Sequence, residues 1–251
     1  MIKALLSRLK QGYRTYPFPA KEPVMPERFR GRPTLRQGGC SRCGVCVKVC
    51  PAGAVTLPEG RLALDMGKCL FCGECAKACP AGVIEFSKDY RLAASSRSDL
   101  VLTGQEAKLA QALDRQSRRI FGRSLKLRQV SAGGCNACEA DTNVLSTLTF
   151  DLARFGVQFV ASPRHADGIL VTGPVTANMR SAVEATYAAV PTPKFVIAVG
   201  ACAISGGPYA GHVESCDGVD KLLPVDLHVP GCPPHPYTIL DALVTFLGRR
   251  G

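Results

Sequence analysis

The run Cys40-x2-Cys43-x2-Cys46-x3-Cys50-Pro51 places four thiols within eleven residues, and it occurs twice. Cys69, Cys72, Cys75 and Cys79 repeat it at a constant offset of 29 residues, with Pro80 in the place of Pro51 and Gly73 in that of Gly44. Thiolates at three-residue steps can wrap one 4Fe–4S cluster. The fourth cysteine, followed by proline, turns away and serves the other cluster of a pair. The spacing therefore predicts one 4Fe–4S cluster on Cys40, Cys43, Cys46 and Cys79, and a second on Cys69, Cys72, Cys75 and Cys50. Neither proline can donate a backbone hydrogen bond, which steers the chain away from the cluster. Zinc is the alternative, but it normally takes separated C-x2-C pairs around one tetrahedral ion, and a third cysteine two residues on has no use there. Duplicated units of this size predict a small pseudo-twofold domain ending near Leu92.

Five of the 13 cysteines lie outside the repeat. Disulfides belong mainly to small secreted domains, and the start "MIKALLSRLKQGY" has no long apolar run, so the expectation is a cytoplasmic protein with reduced, metal-binding thiols. The runs at 125–130, 157–162, 168–173, 194–200 and 225–229 read as buried parallel strands, with helical stretches around 138–154, 177–190 and 234–248. This is the pattern of a flavodoxin-like α/β domain. Cys135, Cys138, Cys202 and Cys232 each follow a predicted strand. Loops after parallel strands gather at the carboxyl edge of the sheet, where ligands bind. Four thiols converging there predict a third four-thiolate site, against the plainer reading of buried packing cysteines. Cys216 fits no set and reads as a spare thiol.

The segments "GGCNACE", "SPRHADGILVTGPVT", "GACAISGG" and "VPGCPP" resemble the small subunit of membrane-bound group 4 nickel–iron hydrogenases, formate hydrogenlyase among them, and its homologue, the 20-kDa subunit of respiratory complex I. The N-terminal half, with "YPFPAK", "FRGRPTL" and "CLFCGECAKACPAGVIEFSKDYRLA", resembles the two-cluster ferredoxin subunit of the same complexes. The chain reads as a fusion of the two. Complex I subunits have adjacent cysteines at the first ligand position, whereas Cys135 and Cys138 are separated by two residues, as in hydrogenases.

The resemblance implies that Cys135, Cys138, Cys202 and Cys232 hold a proximal 4Fe–4S cluster, the third in the chain, next to an active site on a partner subunit. It also implies that Glu139 serves proton movement, although a carboxylate in a helix's first turn is accounted for by the dipole alone. Arg164 and His165 either tune that cluster or belong to a surface loop. The implied partners are a nickel–iron hydrogenase-type large subunit, membrane-arm subunits and an electron donor or acceptor subunit, met at the cytoplasmic face of the membrane. A quinone-reducing module of complex I type is the runner-up, and a zinc-stabilised binding protein the distant one.

The expected division is a basic helix and proline-rich arm at 1–36, a two-cluster α+β ferredoxin domain at 37–95, a linker helix at 96–124 and the parallel-sheet domain at 125–251. Ile2, Leu5, Leu6 and Leu9 share one face of the first helix, which packs on its own domain or rests on a membrane surface or partner. The arm is expected to lie across another surface. Thr103 and Glu106 form a capping box that opens the linker helix, which then runs to Gly122. "SRRIFGR" at 117–123 has two arginines but no apolar stretch after it, and reads as part of a basic helix. The formal net charge of +11 invites a nucleic-acid reading, but no aromatic-interleaved basic stripe or known binding motif accompanies it. No nickel-binding cysteine pairs, G-x-G-x-x-G or P-loop occurs, so neither a nickel site nor a nucleotide site is expected.

Overall fold

The computed structural model describes residues 2–12, 14–105 and 107–249. Helix α1 (Ile2–Gln11) stops where Gly12 adopts a left-handed conformation, and none of its residues is buried. It therefore does not pack on its own domain. The arm that follows does find a surface, and it belongs to the chain's own C-terminal half. The Tyr16 amide donates to the Thr149 carbonyl, and Arg154 reaches back to the carbonyls of Tyr16 and Phe18. Phe18 is buried among Tyr90, Phe155 and Tyr237, with ring centroids about 6 Å apart in edge-on or tilted pairs. Each such pair contributes roughly 0.5–1.5 kcal/mol beyond its burial.

The cysteine repeat is built from β1 (Pro33–Leu35), α2 (Val45–Lys48), β2 (Val55–Thr56), β3 (Ala63–Asp65), α3 (Glu74–Lys77), β4 (Ile84–Phe86) and β5 (Val101–Leu102). β1 pairs antiparallel with β4, and β3 runs antiparallel between β2 and β5. The two copies share their backbone. Gly44 and Gly73 precede α2 and α3 at φ 72° and 79°, and Arg42 and Phe71 take φ 58° and 54°.

Beyond it, α4 (Arg115–Phe121) begins later than the capping box predicts. Its cap is Asp114, whose Oδ1 accepts the amides of Gln116 and Ser117. Upstream, the backbone amides bond to distant segments instead of a helix: Ala110 to the Ala93 carbonyl, Gln111 to the Ser95 hydroxyl, Leu113 to the Phe246 carbonyl. Thr103 lies in a bend, and Glu106 lies outside the described residues.

The C-terminal half contains β6 (Leu125–Ser131), α5 (Ala137–Val144), β7 (Val157–Phe159), β8 (Gly168–Thr172), α6 (Ala177–Ala189), β9 (Phe195–Val199), α7 (Ala201–Ser205), β10 (Leu227–Val229) and α8 (Pro236–Phe246). The five strands form one parallel sheet in the order β10-β9-β8-β6-β7. That is the flavodoxin-like order, with its switch point between β6 and β8. Every residue of β8 and β9 is buried, as their unbroken apolar runs require. The helix predicted over 138–154 stops at Val144. The chain turns there so that Leu152 and Phe155 enter the core, and the Leu152 amide bonds back to the Leu145 carbonyl.

The two halves share a hydrophobic cluster in which Leu62, Leu64 and Met66 of the repeat join Ile169, Val171 and Ile204 of the sheet domain. Ala94 adds an antiparallel bridge to His228 on the edge strand β10, closing the joint.

Candidate functional site

The eight thiols of the repeat assemble crosswise. Burial raises the pKa of Cys46, with the neighbouring thiols of Cys79 and Cys40 adding to the shift. It pushes Cys69 up to about 12, with Cys75, Cys50 and Cys72 as charge neighbours. Cys75 rises to about 11, again by burial first, and its neighbours are Cys50, Cys72 and, across the repeat, Cys46. Cys50 thus faces the second motif and Cys79 the first, and the two sets adjoin through Cys46 and Cys75. Cys50, Cys69, Cys72 and Cys75 line a small pocket whose other walls include Pro51, Val55 and Phe86. Two backbone amides point at sulfur there: Ala54 to Cys50 at 3.2 Å and Phe71 to Cys69 at 3.3 Å.

The carboxyl edge of the parallel sheet brings the other four together. Cys135 and Cys138 follow β6, Cys202 sits on α7 after β9, and Cys232 follows β10. Burial pushes the Cys138 thiol up, with Cys202 and Cys232 as its next largest influences. Cys202 rises to about 11 through burial, then Cys232 and Cys135. Cys216 is not among them; its amide bonds to the Val175 carbonyl.

Whether these thiols fit a polynuclear cluster can be tested on the space they leave. Gly200 has φ +93°, and a Cβ there would lie 2.5 Å from the Cys138 sulfur. One at Gly207 would lie 2.9 Å from that of Cys202. The glycines hold open a cradle that side chains would fill, and its donors are all sulfur, the ligand set of iron–sulfur clusters. Among the described residues, no three His, Cys, Asp or Glu side chains are grouped as a single metal ion would require. Thiols with raised pKa values are neutral at pH 7 until metal binds, so loading these sites releases protons.

Glu139 lies in the first turn of α5 and is 5% exposed. Its Oε1 accepts the hydroxyls of Ser131 at 2.6 Å and Thr172 at 2.5 Å. Sequence reasoning missed both hydroxyls. Their signal was there: each is the polar last residue of its strand, and β6 and β8 pair them in register. Arg164 and His165 are exposed on the turn between β7 and β8. His228, given no role from sequence, is buried with its Nε2 2.9 Å from Asp220 Oδ1.

One cavity joins the two regions. Leu70 and Phe71, from the loop between Cys69 and Cys72, line it together with Cys232 and His235. The second set of the repeat is thus the one that faces the sheet-edge thiols.

A duplicated eight-thiol module joined to a parallel sheet with four thiols at its carboxyl edge defines the class of iron–sulfur proteins with a ferredoxin part. Residues 39–83 match the model of the 4Fe-4S dicluster domain, and residues 135–246 that of the NADH ubiquinone oxidoreductase 20 Kd subunit. The chain is 42% identical over 131 residues to the probable membrane-bound hydrogenase subunit mbhJ of Pyrococcus furiosus, a match covering 52% of this chain and 78% of that one. It is 43% identical over 126 residues to formate hydrogenlyase subunit 7 of Escherichia coli, covering 50% of this chain but only 49% of the relative. An NADH-quinone oxidoreductase subunit of Heliobacterium modesticaldum is 42% identical over 114 residues, covering 45% of this chain and 65% of the relative. The chain belongs to the family of the complex I 20-kDa subunit and the hydrogenase small subunit, here preceded by a 4Fe-4S ferredoxin domain.

Proposed function

We propose that the chain is the electron-transfer subunit of a membrane-associated nickel–iron hydrogenase complex, relaying electrons through three 4Fe–4S clusters to or from a partner's active site. The observation that carries this reading is the order of the thiol sets. Cys46 and Cys75 bring the first two together, and the cavity shared by Phe71 and Cys232 brings the second to the third. Cys40, Cys43, Cys46 and Cys79 would hold the outermost cluster, Cys50, Cys69, Cys72 and Cys75 the middle one, and Cys135, Cys138, Cys202 and Cys232 the one nearest the partner. Each cluster, when bound, supplies a one-electron redox centre. The chain's own residues supply the rest. Leu70 and Phe71 line the space between the second and third sets, with Arg28, Arg30 and Asp141 among its other walls, and the amides of Ala54 and Phe71 give the sulfurs hydrogen bonds that would tune a bound cluster. Glu139, held by Ser131 and Thr172 beside the third set, would carry a proton along the partner-facing edge.

The unpacked helix α1 supports attachment to an anionic lipid surface at the cytoplasmic face of the membrane. Ile2, Leu5, Leu6 and Leu9 are 60–78% exposed. At the helical repeat, Lys3 and Lys10 border this stripe on one side and Arg8 on the other, the arrangement of a helix lying in the lipid interface. Among the described residues no helix is long and apolar enough to cross a membrane.

One isolation tests both halves of the proposal. A membrane complex captured through this chain should contain a large subunit carrying nickel and should evolve or consume hydrogen. A nickel-free large subunit with quinone-reducing activity would instead establish the complex I-type reading, which the Heliobacterium relative favours. Deleting residues 2–12 should leave iron content unchanged and lower the share of chain retained on membranes, as should high salt on the intact chain. Equal retention at every salt concentration would remove α1 from the account.

A further inference from the structure

Between the two halves runs a chain of charged groups that the relay, as described so far, does not use. Arg97 donates from Nη1 and Nη2 to the two carboxylate oxygens of Asp65, at 2.8 and 2.6 Å. On its other side, its Nε lies 3.8 Å from Asp220 Oδ2, and Asp220 receives the buried His228 ring. Asp65 stands at the root of the loop that carries Cys69. Its Oδ1 accepts the Gly67 amide, and its carbonyl accepts the Cys69 amide. The same turn is fixed from the far side by α7, the helix that carries Cys202. Ser205 donates its hydroxyl to the Gly67 carbonyl at 2.9 Å. The fit at Gly67 is close, since a Cβ there would lie 2.8 Å from Ile204 and 2.9 Å from the Arg97 guanidinium carbon. His228 is anchored in turn, through the two backbone hydrogen bonds between it and Ala94.

We infer that Arg97 is a positioning residue for electron transfer between the two halves. By bridging Asp65 to Asp220, it sets the separation and orientation of the Cys50/Cys69/Cys72/Cys75 site relative to the Cys135/Cys138/Cys202/Cys232 site. The inference rests on the three-cluster reading. The physical reason lies in what each group can do. Two carboxylates from different halves approach one another, and without a cation between them they repel. A guanidinium is planar and always charged, and its fork holds one carboxylate in two-point geometry while its remaining edge faces the other. A lysine ammonium offers the charge as a point and cannot fix the angle between the two acids. The hydrophobic cluster shared by the halves gives affinity without direction. The Arg97 fork and the Ser205–Gly67 bond supply direction at the loop that carries Cys69, a ligand of the middle site.

The test is electron paramagnetic resonance on the full chain, purified anaerobically with its clusters and reduced. In the parent, the middle and third centres should broaden or split one another's signals. Arg97→Gln should keep the parent's iron content and the signal of each half on its own, while the mutual splitting weakens several-fold or spreads over a range of values. Arg97→Lys should fall between the two. Asp220→Asn, which keeps the side chain's shape, should shift the splitting in the same direction by less. Should Arg97→Gln fail to hold its iron, Arg97→Lys and Asp220→Asn carry the test. Parental splitting in variants that are fully loaded overturns the positioning role. A parent with only two centres and no third overturns the three-cluster reading, and this inference with it.

Discussion

Cys202→Ser is expected to remove about one third of the iron, leave the spectrum of the repeat's two clusters unchanged, and abolish electron delivery to the partner subunit. Cys202 is buried on α7, beside the thiols of Cys138, Cys232 and Cys135. A serine hydroxyl is a harder ligand than a thiolate and does not ionise near neutral pH, so the third site loses one of its four donors. The eight thiols of the repeat sit on other elements, α2, α3 and the loops around them, and draw no ligand from the sheet. Their loading should therefore survive. Metal analysis with paramagnetic spectra of the reduced protein reads both outcomes. Loss of every iron signal would mean that the halves do not load independently, despite their separate ligand sets.

The second large effect separates sequence order from spatial order. In the sequence, Cys50 closes the first motif, yet its thiol faces Cys69, Cys72 and Cys75. Cys50→Ala should thus disturb the middle cluster and spare the one on Cys40, Cys43, Cys46 and Cys79. Because the middle set lies between the other two, the same change should interrupt the relay along its length. Site-resolved spectra are the check. A missing outer cluster beside an intact middle one would refute the crossed assignment.

Much of this architecture was legible because it is written in short-range patterns. The thiol spacing is local, and its backbone consequences appear in both copies, down to the left-handed Gly44 and Gly73. The buried strands are unbroken apolar runs, and the carboxyl-edge site follows from knowing where such strands end. What escaped was set by contacts between distant residues. The capping box at Thr103 predicted a long linker helix, but the amides of Ala110, Gln111 and Leu113 bond to residues elsewhere in the fold. The arm around Phe18 is expected to cross another surface, but its sequence does not say that the surface is the chain's own, formed by Tyr90, Phe155 and Tyr237. The Asp65–Arg97–Asp220–His228 chain joins residues far apart in sequence, and only the docking of the two halves brings them together. No single window of sequence holds such a pattern.

The central claim, three four-iron clusters on twelve thiols, meets its most direct test in metal analysis of the anaerobically purified chain. Iron, acid-labile sulfide and zinc would be counted in one sample. The account predicts a brown protein with about 12 iron and about 12 sulfide per chain and no stoichiometric zinc. A colourless protein with zinc bound and no labile sulfide would contradict it.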